Sequence, residues 1–170
     1  MNLPVTYLLK NATKTIKVNS PFFKVFFNIK DLPYIAVLDE DNHFYGILTH
    51  SRMLDMLSDA WDVKNGSYVL TVLSDNTRGN LIKMSKIVSK HTNMSSVMTL
   101  DAAAGELEGN FVRRTLFTLP AGVSDITMRT IVDKLQRKGF VVSEIEDLQA
   151  GMTIMSDENP GVFIEHPVKD

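Results

Sequence analysis

Between residues 67 and 148 the spacing of apolar side chains switches repeatedly between a period of about 2, which suits a strand, and one of about 3.6, which suits a helix. The run Ser67-Tyr68-Val69-Leu70-Thr71-Val72-Leu73 is apolar and β-branched and predicts a buried strand. Leu81, Met84, Ser85 and Val88 recur at i, i+3, i+4, i+7 and predict the inner face of a helix over 79–90. Strands are expected at 95–101, 112–119 and 140–145. A second helix is expected over 125–138, burying Met128, Ile131, Val132 and Leu135. Gly139 follows Arg137-Lys138, the combination of cationic last turn and glycine that ends a helix. The resulting order is β-α-β-β-α-β. It is satisfied when two helices cover one face of an antiparallel sheet.

The residues before this stretch have a different texture, rich in Phe, Tyr and Pro. Thr15-Ile16-Lys17-Val18 alternates like a short strand. Ser20 before Pro21 predicts a helix start, with a capping hydroxyl followed by the residue best tolerated at the first helical position. That helix would carry Phe22, Val25, Phe26 and Ile29 on one stripe with Phe23 and Phe27 beside it, so it needs cover on more than one side. Residues 34–38 and 44–48 predict a hairpin around the polar turn Asp39-Glu40-Asp41-Asn42. A helix from about His50 is expected to bury Met53, Leu54, Leu57 and Trp61. The Asn65-Gly66 turn then marks a boundary. The expected organisation is a first domain over 1–64 and a second over 67–148. An irregular tail over 149–170 would contain at most a short strand at Val162-Phe163-Ile164.

Several function classes are disfavoured by composition. The 18 basic and 20 acidic side chains give a net charge of -2, without the basic excess of a protein that neutralises nucleic-acid phosphates. The absence of cysteine removes disulfides, thiolate metal sites and a cysteine nucleophile, and suits a reducing compartment. No apolar run approaches the ~20 residues of a membrane span, and Met1 to Lys10 lacks the basic start of a signal peptide. A cytoplasmic protein without nucleic-acid or membrane partners is expected. His43, His50, His91 and His166 show no metal-binding spacing. Glu106 and Glu108, in the loop 104–110, would need to meet in a cleft for acid–base work. Arg113 and Arg114 point to opposite faces of a strand, so at most one can join an anion site. No catalytic residue and no metal are expected.

The first segment, with Ala36-Val37-Leu38-Asp39-Glu40-Asp41 followed by Gly46-Ile47-Leu48-Thr49 at the mouth of a helix, resembles a cystathionine-β-synthase (CBS) motif over roughly residues 5–61. The second, with Asp75-Asn76-Thr77-Arg78-Gly79-Asn80-Leu81 at its first strand-to-helix turn, resembles an ACT domain, a ferredoxin-like regulatory module. The fold class implied is α+β: a β-α-β-β-α CBS motif followed by a ferredoxin-like βαββαβ ACT domain. CBS motifs pack in pairs, and the similar bacterial CBS–ACT proteins, including the acetoin-utilisation type, carry two ahead of the ACT part. One is visible here. Either another lies upstream of a truncated start, or a second chain completes the pair, making a homodimer through the CBS helices, the ACT sheet or both.

The resemblance implies an adenine nucleotide as regulatory ligand and no other cofactor. Its base would lie against Lys14 and Thr15 of the first strand and Tyr34 and Ile35 of the second. The Thr49 hydroxyl and the adjoining helix N-terminus suit ribose or phosphate, with His50 and Arg52 beside them. Many nucleotide-binding CBS modules have Asp where this chain has Arg52, which points toward a phosphate-rich ligand. The stretch from Asp41 to His50 also looks like the second motif of small firmicute proteins that bind cyclic di-AMP. Two other readings remain open at this stage. Thr49 also suits a plain helix cap followed by a solvated Arg52, and Tyr34 a core or rim aromatic. An amino acid is a further candidate ligand, at Asp75, Asn76, Gly79 and Asn80, where the same residues also suit a turn and cap. A purely dimerising structural protein is the remaining alternative.

Overall fold

The computed structural model describes residues 14–75, 77–101 and 112–155. Among these the chain is α+β, with four helices and two sheets, and it divides into two compact units between Leu57 and Ser58. The division falls inside a helix, ahead of the Asn65-Gly66 turn. At that turn the Gly66 N–H donates to the Asp62 carbonyl at 2.8 Å, and a side chain at Gly66 would meet Asp62 O, Leu148 and Thr118 within 3.0 Å. Glycine is required there by close approach.

The first unit contains β1 (Thr15–Lys17), α1 (Phe22–Ile29), β2 (Tyr34–Leu38), β3 (Phe44–Thr49) and the start of α2 (His50–Ala60). The sheet order is β1-β2-β3, with β1 parallel to β2 and β2 antiparallel to β3. Ile16, Ile29, Ile35 and Met53 form the buried core, edged by Val25, Leu32, Val37 and Leu48. Both helices therefore lie on one face of the sheet. Lys17 fixes the β2–β3 turn, its Nζ donating to the Asp39 carbonyl at 2.9 Å, the Glu40 carbonyl at 3.1 Å and Asn42 Oδ1.

Helix α1 departs from expectation at both its start and its faces. Pro21, not Ser20, occupies the position before Phe22, and no side chain caps the helix. The Ser20 hydroxyl instead accepts the Lys17 N–H at 2.9 Å, closing the turn after β1. Val25 and Ile29 face the core, whereas Phe22 and Phe26 are more than a third exposed, and Phe23 and Phe27 are 71% and 64% exposed. The four rings touch in series, Phe23 on Phe22 at 5.6 Å, Phe22 on Phe26 at 6.3 Å, Phe26 on Phe27 at 5.7 Å between centroids. Likewise on α2 only Met53 is buried; Leu57 is half-buried and Leu54 is exposed, and Trp61, just past the helix end, is half-buried. A three-stranded sheet offers too little surface to cover either apolar helix fully.

The second unit contains β4 (Tyr68–Ser74), α3 (Asn80–Val88), β5 (Ser96–Asp101), β6 (Arg113–Thr118), α4 (Asp125–Gln136), β7 (Val141–Asp147) and β8 (Met152–Met155). The strand order is β5-β6-β4-β7-β8, antiparallel throughout. Leu70, Val72, Phe117, Val142 and Ile145 of the sheet meet Met84, Val88, Met128, Ile131 and Leu135 of the helices in one core. Ser124 caps α4, accepting the Thr127 N–H at 3.2 Å, and Gly139 ends its last turn at φ 83°. On α3, Met84 and Val88 are buried as expected, but Leu81 in the first turn is exposed. Strand β8 lies in the stretch expected to be irregular; Gly151 just before it hides the short Met-Thr-Ile-Met alternation. The loop 104–110 with Glu106 and Glu108, His166 and the strand expected at 162–164 lie outside the described residues.

On the sheet face away from the helices, Glu144 and Glu146 follow each other along β7. Burial pushes the Glu146 carboxyl up, and the Glu144 charge adds to the effect. A raised folded-state pKa means that the fold penalises the ionised form, so this site costs stability as pH rises above the usual carboxylate range. Glu146→Gln is expected to raise the urea midpoint at neutral pH, and the gain is expected to vanish at about pH 4, where the native carboxyl is protonated anyway. Equilibrium urea denaturation at the two pH values checks this.

Candidate functional site

The register of the first sheet determines which expected site residues can meet. Tyr34 pairs directly with Thr49, and Thr15 pairs with Ala36, two residues along β2 from Tyr34. Ile35 and Leu48, the neighbouring pair, belong to the core. Because side chains alternate along a strand, Thr15, Tyr34, Ala36, Ile47 and Thr49 share the face opposite the helices. Tyr34 and Ile47 are both more than half exposed there. Ile35 is 1% exposed on the other face, so its side chain is spent on packing and only its backbone remains near Tyr34. Lys14 is exposed just before β1.

Thr49 ends β3 where α2 begins. Its Oγ1 accepts the Arg52 N–H at 3.1 Å, which makes it the cap of α2. The hydroxyl proton remains available to an acceptor, because the capping bond uses only an oxygen lone pair. His50 is the first helical residue and is exposed; its N–H donates to the Pro33 carbonyl at 3.2 Å. Arg52 is exposed one turn on. The structure thus brings Thr15, Tyr34 and Thr49 together on one face, with His50 and Arg52 at the helix start beside Thr49.

The second candidate lies where β4 turns into α3. Gly79 sits just before the helix at φ 90°, a conformation that favours glycine, and no side chain caps α3. Asp75 organises the turn. Its Oδ1 accepts the Thr77 N–H at 3.0 Å and the Asn80 side-chain amide, and its Oδ2 accepts the Thr77 hydroxyl at 2.8 Å. These bonds, the Thr77 hydroxyl first, hold the Asp75 carboxyl below its usual range. Asp75 and Asn80 are therefore engaged with the loop itself, and Asn76 lies outside the described residues.

A cavity of about 130 Å³ opens beside this turn, lined by residues including Ser74, Arg78, Leu81, Met84, Arg113 and Thr115. Arg113 and Thr115 lie on the helix side of β6, in register with Ser74 and Val72. Arg114 alternates to the other side, as the strand pattern requires. Thr115 is wholly buried, and its hydroxyl has no hydrogen-bond partner. Sequence reasoning did not single out Thr115, which lies between Arg114 and Leu116 in the chain and between Arg113 and Phe117 on its face of the strand.

Among the described residues no group of three or more His, Asp or Glu is arranged to hold a metal, and no helix is long and apolar enough to cross a membrane. His43 lies 3.5 Å from the Asp39 carboxylate on the surface, and His91 Nε2 lies 3.0 Å from Lys134 Nζ. No protein-family model matches the chain, and no curated protein does.

The cap makes a direct prediction. Thr49→Ala is expected to cost about 1 kcal/mol of stability by removing the acceptor for the Arg52 amide, and Thr49→Ser to restore most of it. Urea denaturation of both variants measures the difference.

Proposed function

We propose that the chain is a non-catalytic regulatory protein that binds an adenine nucleotide, such as cyclic di-AMP, on the open face of its first sheet. The observation that carries this reading is the direct Tyr34–Thr49 pair, with Thr15 one strand away and the α2 N-terminus adjoining. An exposed aromatic ring suits a purine face. A hydroxyl and the helix N-terminus suit ribose and phosphate, and Arg52 adds a guanidinium for bidentate phosphate contact. The β-α-β-β-α order of the first unit supports its reading as a CBS motif. In the second unit, the strand order β5-β6-β4-β7 with both helices in one core supports a ferredoxin-like, ACT-type module.

A second copy of the chain completes the half-module in this reading. The argument is apolar surface left uncovered on both sides of a thin unit: Tyr34, Phe44 and Ile47 from the sheet strands, and the four phenylalanines of α1. With about 200 Å² per ring and the exposures above, the α1 ladder offers on the order of 400 Å². That is roughly half of what one partner contributes to a standard interface of about 800 Å² per side. Nucleotide bound between two such units would favour one arrangement of the pair over others, which is how a binding event becomes a signal.

Calorimetric titration with AMP, ATP and cyclic di-AMP tests the site. Arg52→Ala and Tyr34→Ala are each expected to weaken the best-bound nucleotide by about tenfold or more, the size of one charge-assisted contact or one stacking face. Unchanged affinity in both variants would show that the nucleotide binds elsewhere, and no heat with any of the three would overturn the nucleotide reading.

A further inference from the structure

We propose that Asn65 is a site of deamidation which the folded turn before β4 holds shut, and that its conversion to isoaspartate keeps the turn from closing again. This site belongs to the second unit and stands independently of the nucleotide reading. Of the eleven asparagines in the chain, Asn65 alone precedes a glycine. Asparagine is lost without an enzyme when the next backbone nitrogen attacks its side-chain amide, and glycine presents that nitrogen with no side chain in the way. The Gly66 nitrogen gives its proton to a water-derived base and bonds to Cγ of Asn65. The Cγ–Nδ2 bond breaks and ammonia leaves, giving a cyclic imide. Water then opens the imide. Attack at the side-chain carbonyl leaves aspartate on an ordinary backbone; attack at the backbone carbonyl leaves isoaspartate, whose main chain runs through the side-chain carbon.

The fold separates the two partners of that reaction. Asn65 is exposed, so water reaches its amide, whereas Gly66 and Ser67 are buried. The Gly66 N–H donates to the Asp62 carbonyl at 2.8 Å, a bond that retains the proton the attack has to remove. The Gly66 carbonyl accepts the Gln149 side-chain amide at 2.8 Å. Next in the chain, the Ser67 N–H donates to the Leu119 carbonyl at 3.0 Å, and the Ser67 carbonyl accepts the Leu148 N–H at 2.9 Å. The Ser67 hydroxyl donates to the Pro120 carbonyl at 2.8 Å. To reach Cγ, the Gly66 peptide must turn relative to Asn65, and each of these bonds opposes that motion. Space is lacking as well, because Asp62 O, Leu148 and Thr118 stand within 3.0 Å of where a Cβ on Gly66 would sit. The imide therefore forms from a locally opened turn rather than from the closed one. The isoaspartyl product adds a carbon to the main chain just ahead of Gly66. That displaces the Gly66 nitrogen from the Asp62 carbonyl in surroundings too crowded to absorb the shift, so the bonds of Gly66 and Ser67 do not all re-form.

The experiment incubates the full chain at mildly alkaline pH, native and in guanidinium chloride above its unfolding midpoint, and follows the mass gain at each asparagine by peptide mapping. In denaturant Asn65 is expected to convert fastest of the asparagines. In the native chain its conversion is expected to be slower by about tenfold or more. Gln149 is exposed, so Gln149→Ala removes one bond from the Gly66 peptide without touching the reacting atoms. That variant is expected to convert several-fold faster than the parent when native and at the same rate in denaturant. Isoaspartyl protein, separated by chromatography, is expected to melt below the parent, whereas Asn65→Asp, with the same added charge on an ordinary backbone, is expected to melt close to it. The proposal is overturned if the native chain loses Asn65 as fast as the denatured one, or if another asparagine outpaces Asn65 in denaturant. It is overturned equally if Gln149→Ala leaves the native rate unchanged or if the isoaspartyl form melts with the parent.

Discussion

Hydrophobic burial has to come from layers, and a three-stranded sheet with two helices on one face provides a single thin one. The first unit closes that layer with Ile16, Ile29, Ile35 and Met53. The apolar side chains it leaves outside, the α1 phenyl ladder above all, are the largest reserve of further stabilisation it possesses. The second unit differs because, among the described residues, five strands and two helices enclose a larger buried core, with Phe117 and Leu119 fully covered.

This contrast explains how much of the fold could be read from the sequence. In the second unit the inner faces of α4 and of the later part of α3 emerge where the 3.6-residue spacing predicts them, because the sheet is wide enough to cover them. In the first unit the same spacing identified the helices but not their faces. Helix α1 is apolar over most of its circumference, leaving only Lys24 and Asn28 as a polar strip, so periodicity could not say that Val25 and Ile29, rather than Phe22 and Phe26, would meet the sheet. The cap was misjudged for a related reason: a hydroxyl before proline has two possible partners, and Ser20 serves the turn behind it rather than the helix ahead. Strand β8 was too short to show its alternation between a glycine and an acidic stretch.

The candidate sites were legible to different extents. A threonine opening a helix after a strand is a local signal, and Thr49 does cap α2. That Tyr34 stands directly opposite it depends on hairpin register, which the acidic turn sets only approximately; the structure places a bulge between Val37 and Leu38. Thr115 was illegible because its meaning depends on what lies across the strand and above it, information that no local window contains. Asp75 shows the opposite case. It looked like a ligand group in sequence, and its three internal hydrogen bonds give it a structural task instead.

The account as a whole depends on the uncovered phenyl surface of α1 being matched by a second copy. Sedimentation velocity of the intact chain over a range of concentrations, alongside Phe23→Ser and Phe27→Ser, tests this most directly. Reversible dimerisation is predicted for the unaltered chain, with both substitutions shifting it toward monomer while the far-ultraviolet circular dichroism stays the same. A chain that sediments as a monomer up to its solubility limit, indistinguishable from the two variants, would contradict it.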